Sequence, residues 1–294
     1  MDRLVHYHHP CDDTFSLAYC GESPADLDDY RSDADGPTKS LGYPFETPVY
    51  LLFEGTHSAK TASDLEYDSD FVEDQIAGQP RPTQIVAFRL IELLEAAVDV
   101  REEDEFRLYK EFEPEQIHEA LQNVSWGEVL PTVAGELLSN LVLRHSLPNA
   151  NHRTGIALAQ LCIETVDPSF KMPSTHVDDE TWKEWIDPYI VESKRIITVR
   201  RNNVRFKHLA ELDVDLVERK GGIRIRLSDY ELDMYPREAL RKYAKIHEEH
   251  CVDLITELLK RADRSDLITQ SGPTKEEFVE YLDTGVDRDF RELF

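Results

Sequence analysis

Residues 131–164 read PTVAGELLSNLVLRHSLPNANHRTGIALAQLCIE, and the fold turns on this stretch. After Pro131, a residue that suits the first turn of a helix, Val133, Leu137, Leu138, Leu141 and Val142 recur at helical spacing. A second apolar helix is expected from about Arg153 to Glu164. Across residues 121–163 the only Asp, Glu, Lys or Arg side chains are Glu128, Glu136, Arg144 and Arg153. A helix apolar on most sides belongs in a core. Pro148 enforces a loop between the two. The stretch predicts buried helix, polar loop, buried helix.

Outward from it, Ile85, Phe88, Leu90, Ile91, Leu94 and Ala97 form one helical stripe, and residues 114–123 read as a short helix after Pro114. Residues 178–200 read as a helix kinked at Pro188. The period then switches to two. Asp215 to Leu227 is a β-hairpin signal, with Gly221-Gly222 at the turn and Ile223, Ile225 and Leu227 on one face. Pro236 opens a long helix to about Ala262. Residues 1–82 are rich in turn formers and read as mixed structure, with Pro48 to Phe53 the clearest strand and Gln79-Pro-Arg-Pro82 a boundary. The expected class is mainly α: a helical core over 83–200, a mixed α/β N-terminal extension over 1–82, and a hairpin plus long helix over 201–294.

The chain has 294 residues, enough for a sizeable core. Its formal charge is −26, with the acid excess spread along most of the chain. That balance argues against general nucleic-acid binding. Lysine is scarce, 12 against 21 arginines. A carboxylate-rich, lysine-poor surface fits a halophilic protein held in solution at very high salt, or simply an acidic one. Four cysteines are too few for a disulfide scaffold. The N-terminus does not read as a signal peptide, and no run approaches the 18 or so apolar residues of a membrane span. A cytoplasmic location with no membrane partner is expected.

The loop His145-Ser-Leu-Pro-Asn-Ala-Asn-His-Arg-Thr-Gly155 reads as an anion site. The start of a helix attracts phosphate. Ala150 and Gly155 are small enough for close approach, and Arg153 offers a planar fork of donors. Asn151 can bridge loop backbone and ligand. His145, at the end of the preceding helix, can reach across as a base near neutral pH.

This arrangement resembles the active-site motif of the Fic/Doc (Fido) family, His-x-Phe-x-Asp/Glu-Gly/Ala-Asn-x-Arg between two core helices. His145, Ala150, Asn151 and Arg153 match, and Leu147 stands for Phe. The run Ala-Asn-x-Arg-Thr looks closest to the Doc (death-on-curing) branch, which also lacks the second arginine of the Fic version; Ile156 occupies that place here. The resemblance covers residues 83–200.

It implies a Fic/Doc-like all-helical core that moves part of ATP or another nucleoside triphosphate onto a Ser, Thr or Tyr hydroxyl of a protein substrate. His145 would be the catalytic base. Ala150, Asn151, His152, Arg153 and Thr154 would hold the phosphates, with Mg²⁺ present, and an antitoxin partner is conceivable by the same likeness. Two positions depart from the pattern. Asn149 stands where the family usually has Asp or Glu, so metal binding should be weak. His152 stands where AMP-transferring members have Gly and Doc has Lys, a bulk that favours phosphate transfer. Three readings follow: a nucleotidyl (AMPylation-type) transferase, a Doc-like protein kinase, and a catalytically silent module that binds nucleotide or a partner.

Other features read as structural. His6, His8, His9, Cys11 and Cys20 fit no zinc spacing. His247-Glu-Glu-His250 is one residue short of a metalloprotease motif and reads as a solvated helix face. Gly55 to Thr61 imitates a phosphate loop, one residue short. Ser69 to Glu73 resembles the restraining helix of some Fic proteins only in its Ser and Glu. From Arg200 to Arg226 there are eight basic residues against four acids. This stretch reads either as a dock for an acidic or RNA-bearing partner, or as a hairpin with ordinary solvated charge.

Overall fold

The structure, a computed structural model, describes residues 2–55, 60–61, 74–99, 107–108, 112–147, 150–173, 184–286 and 289–293. In chain order the main elements are β1 (Leu4–His6), β2 (His8–His9), β3 (Asp12–Gly21), α1 (Asp28–Asp33), β4 (Thr38–Tyr43), β5 (Val49–Gly55), β6 (Lys60–Thr61), α2 (Arg81–Asp99) and β7 (Arg107–Leu108). They continue with α3 (Pro114–Gln122), α4 (Leu130–Arg144), α5 (Asn151–Val166), α6 (Asp187–Glu211), β8 (Leu216–Arg219), β9 (Ile223–Arg226), α7 (Pro236–Arg261) and α8 (Lys275–Glu280). The chain is mainly helical, with a smaller β component.

Two compact units form, and each draws on two stretches of sequence: residues 1–59 with 191–244, and residues 60–190 with 245–294. These units cut across the three segments read from the sequence. Both long helices, α6 and α7, pass from one unit into the other.

The first unit is built on two sheets. The four-stranded one has the order β2-β3-β5-β4, antiparallel throughout. Its centre is β5, where Val49, Leu51, Leu52 and Phe53 are all buried, so the strand is covered on both faces. The other sheet has the order β1-β8-β9. Its β8–β9 hairpin turns at Gly221 and Gly222, with φ of 78° and 69°, a region glycine enters without steric cost. Ile223 and Ile225 point inward and Arg224 and Arg226 outward, the alternation read from the sequence. β1 joins β8 in parallel, pairing Leu4 with Leu216 and His6 with Glu218.

A break does fall beside Pro188: residues 184–185 are helical, Ile186 is a turn, and α6 starts anew at Asp187, while most of the earlier part of the expected helix lies outside the described residues. That proline is the second residue of the helix, where its missing N–H has no intrahelical partner to lose. A further break falls inside α6 at Asn202 (φ −121°, ψ 19°), whose Nδ2 donates to the Thr198 carbonyl at 2.9 Å and to Tyr7 Oη at 3.2 Å.

The second unit is a helical core. α4 packs against α5 and α3, and α2 packs against α3 and α5. Of the fifteen residues of α4, eleven are buried, among them Glu136, whose carboxylate accepts from Ser125 N at 2.5 Å and Ser125 Oγ at 3.2 Å. Gly135 is where α4 meets α7. A Cβ there would stand 2.7 Å from the Val252 Cα and backbone nitrogen. Backbone atoms inside a helix cannot swing aside as a side-chain end can. Gly135→Ala is therefore expected to lower stability by about 3 kcal/mol, read by chemical denaturation. A change of a few tenths would show that α7 slides freely on α4.

Candidate functional site

The loop predicted between two buried helices is present, bounded by α4 and α5. Helix α4 ends at Arg144, whose guanidinium is ion-paired with Glu119 of α3. His145 then enters the left-handed region (φ 54°, ψ 46°) while its N–H donates to the Leu141 carbonyl at 3.0 Å. This is a left-handed helix cap made by a histidine, and it reverses the chain direction. Ser146 and Leu147 are each only 1% exposed, so their backbone groups need internal partners. The Ser146 carbonyl accepts from Glu113 N at 3.1 Å.

Leu147 is held from the far side of the loop. The Asn151 side chain reaches back, accepting from Leu147 N through Oδ1 at 3.1 Å and donating through Nδ2 to the Leu147 carbonyl at 2.9 Å. One amide satisfies both backbone groups of a buried residue, as a neighbouring strand would. Ala150, just before α5, is also left-handed (φ 54°, ψ 16°). His145, Ala150, Asp213 and Asp263 are the described non-glycine residues with positive φ, and two of the four bracket this loop. Strain of this kind persists only where surrounding contacts fix it, and it concentrates at functional sites.

The site residues read from the sequence fall as follows. His145, Ala150, His152 and Arg153 are half-buried around the loop and the first turn of α5. Asn151 is buried and serves the loop backbone. Thr154 is 1% exposed, and its hydroxyl turns inward to the Ala150 carbonyl at 3.1 Å. Gly155 faces α4, where an added Cβ would sit 2.8 Å from Leu138 Cδ1, so its smallness serves helix packing. Asn149 lies outside the described residues, as do Ser69 to Glu73 and residues 56–59 of the loop that imitates a phosphate loop. The positive end of a sixteen-residue helix dipole lies at Asn151, beside Arg153. His145 thus stands at the end of α4, and Arg153 on the first turn of α5.

Sequence reasoning misplaced His247. It is fully buried, with Nδ1 2.7 Å from Ser139 Oγ and 3.7 Å from Cys251 Sγ. Tyr243, His247 and Cys251 recur at four-residue spacing on the inner face of α7, and that apolar stripe was the signal. Burial pushes the Cys251 thiol far above its usual range. His250 is half-buried, with Nε2 2.8 Å from the Tyr189 carbonyl. A buried carboxylate also went unread: Glu164 accepts from Tyr281 Oη at 3.0 Å and Gln160 Nε2 at 2.8 Å, beside a cleft of about 620 Å³ at the far end of α5.

The N-terminal histidines lie on strands and are half-buried. His6 Nδ1 is 2.7 Å from Tyr43 Oη. Burial, then the charges of Lys220 and Arg219, hold the His8 imidazole down at about 4, and burial pushes the Cys20 thiol up to about 12. Among the described residues no group of three or more His, Cys, Asp or Glu side chains is placed to hold a metal ion. On the hairpin, Arg219 donates to the Lys194 carbonyl and Thr198 Oγ1, Arg224 pairs with Glu218 and Arg226 with Asp2. No described helix is long and apolar enough to cross a membrane.

A known family pattern matches residues 1–286, almost the whole chain. The chain belongs to a family of unknown function, DUF8172. No curated protein and no solved structure matches it. The match spans both units, so the loop and the sheets around β5 and β8 fall within one family-wide segment.

Proposed function

We propose that this chain is a nucleotide-dependent protein-modifying transferase whose site is the loop from His145 to Thr154. The observation that carries the reading is the Asn151–Leu147 double hydrogen bond between two left-handed residues, at the start of a core helix. It ties Leu147, two residues after His145, to Asn151, two residues before Arg153. The helix start and Arg153 suit the phosphates of ATP.

His145 is the base in this reading. It takes the proton from a Ser, Thr or Tyr hydroxyl as the hydroxyl oxygen attacks the α-phosphorus. The bond to the bridging oxygen breaks and pyrophosphate leaves. Mg²⁺ would screen the phosphates when bound, and its ligand would come from Asn149. The described residues supply no metal cluster, so the steps here are those of the chain's own side chains.

The test is incubation with ATP labelled at the α or γ phosphate, Mg²⁺ or Mn²⁺, and source lysate in high salt. Label from the α position on protein supports nucleotidyl transfer. Label from γ alone makes the chain a Doc-like kinase, the outcome that the bulk of His152 on the first turn of α5 favours. ATP binding without transfer makes it a silent nucleotide-binding module. Asn149→Asp restores the missing charge at almost unchanged volume. Tighter Mg²⁺–ATP binding by calorimetry and faster transfer are expected. No change in either quantity would show that metal does not limit the site.

A further inference from the structure

Within the first unit, Arg200 Nε of α6 donates to the Leu240 carbonyl of α7 at 3.0 Å, and Lys207 pairs with Asp233 at 2.6 Å. Residue numbers rise on one segment as they fall on the other, so the two run antiparallel. Val204 lies beyond the break at Asn202 and one turn before Lys207 on the same face of α6. It falls between the two bonds along α6, as Tyr235 does on the facing segment, and Leu240 carries the carbonyl of the first bond. All three side chains are exposed: Val204 by 54%, Tyr235 by 78% and Leu240 by 40%. They are half of the six large apolar side chains that stand exposed among the described residues.

The rim of this apolar stripe carries an excess of basic residues, its acids Asp233 and Glu231 being paired with Lys207 and Lys242. Between Ser193 and Ala210 the chain has six Lys or Arg residues and no acid. Arg201 flanks Val204 on α6, and Arg237 and Arg241 flank Leu240 on α7, whereas Arg205 is held by the Ala18 carbonyl at 2.6 Å and Asn202 Oδ1 at 3.1 Å. Arg201, Arg237 and Arg241 make no ion pair with a described residue. Glu238, the one acid of the first two turns of α7, is turned to the Tyr235 backbone N–H at 3.0 Å. On a chain of charge −26, a positive face of this kind works against the charge of the rest of the surface.

We propose that this face docks an acidic amphipathic segment of a partner protein. Carboxylates of the segment meet the arginine rim, and its apolar side chains cover Val204, Leu240 and Tyr235. Tyrosine and arginine are the side chains that most often carry binding energy in such contacts. The chemistry favours a polypeptide over RNA, because two of the three central side chains are aliphatic and offer no stacking platform to a base. The hairpin arginines do not belong to the face, since Arg219, Arg224 and Arg226 are held by local partners. The surface is thus the helical part of the basic region, and it goes beyond the transferase reading without depending on it.

The test is fluorescence anisotropy with a labelled peptide of about 18 residues, Glu-rich, with Leu and Phe at helical i, i+3, i+4 and i+7 spacing. Its control has Ser in place of the apolar residues, and oligo-U RNA of equal charge is the second probe. The amphipathic peptide is expected to bind in the micromolar range. Affinity should fall about tenfold or more in Arg201→Glu/Arg237→Glu, mostly through slower association, and about tenfold in Val204→Ser/Leu240→Ser. These side chains are exposed, so the melting curves of the variants should overlay the parent's. Equal binding of the Ser control, tighter binding of the RNA, variants that bind like the parent, or no binding of any probe would each overturn the proposal.

Discussion

His145→Asn is expected to lower transfer by about a hundredfold to ten-thousandfold while the melting curve stays where it was. The direction follows from where the imidazole acts. A base that removes the acceptor proton works in the transition state, so its loss lowers kcat and kcat/KM together and leaves nucleotide binding nearly unchanged. The choice of asparagine follows from the backbone. His145 is left-handed at φ 54°, and asparagine enters that region more readily than alanine does. His145→Ala carries the same catalytic loss with an added backbone cost of the order of 1 kcal/mol. The measurement is transfer of α-labelled phosphate beside a circular-dichroism melt. An Asn variant with full activity would move the base elsewhere, and one that unfolds would make His145 a structural cap.

The helices around this loop were legible because charge is nearly absent from residues 121–163, and a segment that apolar can only be core. The loop's shape was less so. Left-handed backbone at a histidine and an alanine has no local sequence signal, since both residues prefer other conformations. Tertiary contacts impose it, chiefly Asn151 on Leu147 and Glu113 N on the Ser146 carbonyl. The hairpin at Gly221-Gly222 was legible from its two-residue period, whereas the parallel partner of β8 was not. β1 is three residues long and lies at the other end of the chain, so neither its length nor its spacing points to that pairing. The same long-range closure makes both compact units discontinuous in sequence, and no composition shift marks that. The break near Pro188 was legible from the proline itself, which stands at the second position of α6 just after the turn at Ile186, whereas the break at Asn202 has no such signal. His247-Glu-Glu-His250 looked polar in isolation, but the stripe at Tyr243, His247 and Cys251 sets the buried face of α7.

Asn151→Ala is expected to uncouple the loop from its frame. The wild-type amide satisfies both backbone groups of Leu147, a residue only 1% exposed. Alanine supplies neither partner. Each buried backbone group left unsatisfied costs about 1–3 kcal/mol, so the closed loop should lose roughly 3 kcal/mol or more. The chain can escape most of that cost by opening residues 145–147 to water while α4 and α5 keep their core. The effect should therefore be local. Hydrogen exchange at the Leu147 amide is expected to speed up about a hundredfold, with the midpoint of global unfolding moving far less. Asn151→Asp separates the two bonds. It can still accept from the Leu147 N–H, but it sets a carboxylate oxygen against the Leu147 carbonyl, so it should open the loop as well. In the transferase reading, transfer should fall in both variants because the Leu147–Asn151 tie that links the end of α4 to the start of α5 is lost. The exchange measurement stands apart from any activity. If the Leu147 amide keeps its protection in Asn151→Ala, other contacts shape the loop, and the observation that carries the transferase reading is lost. If protection disappears while transfer persists, the loop is held as described but the chemistry belongs elsewhere.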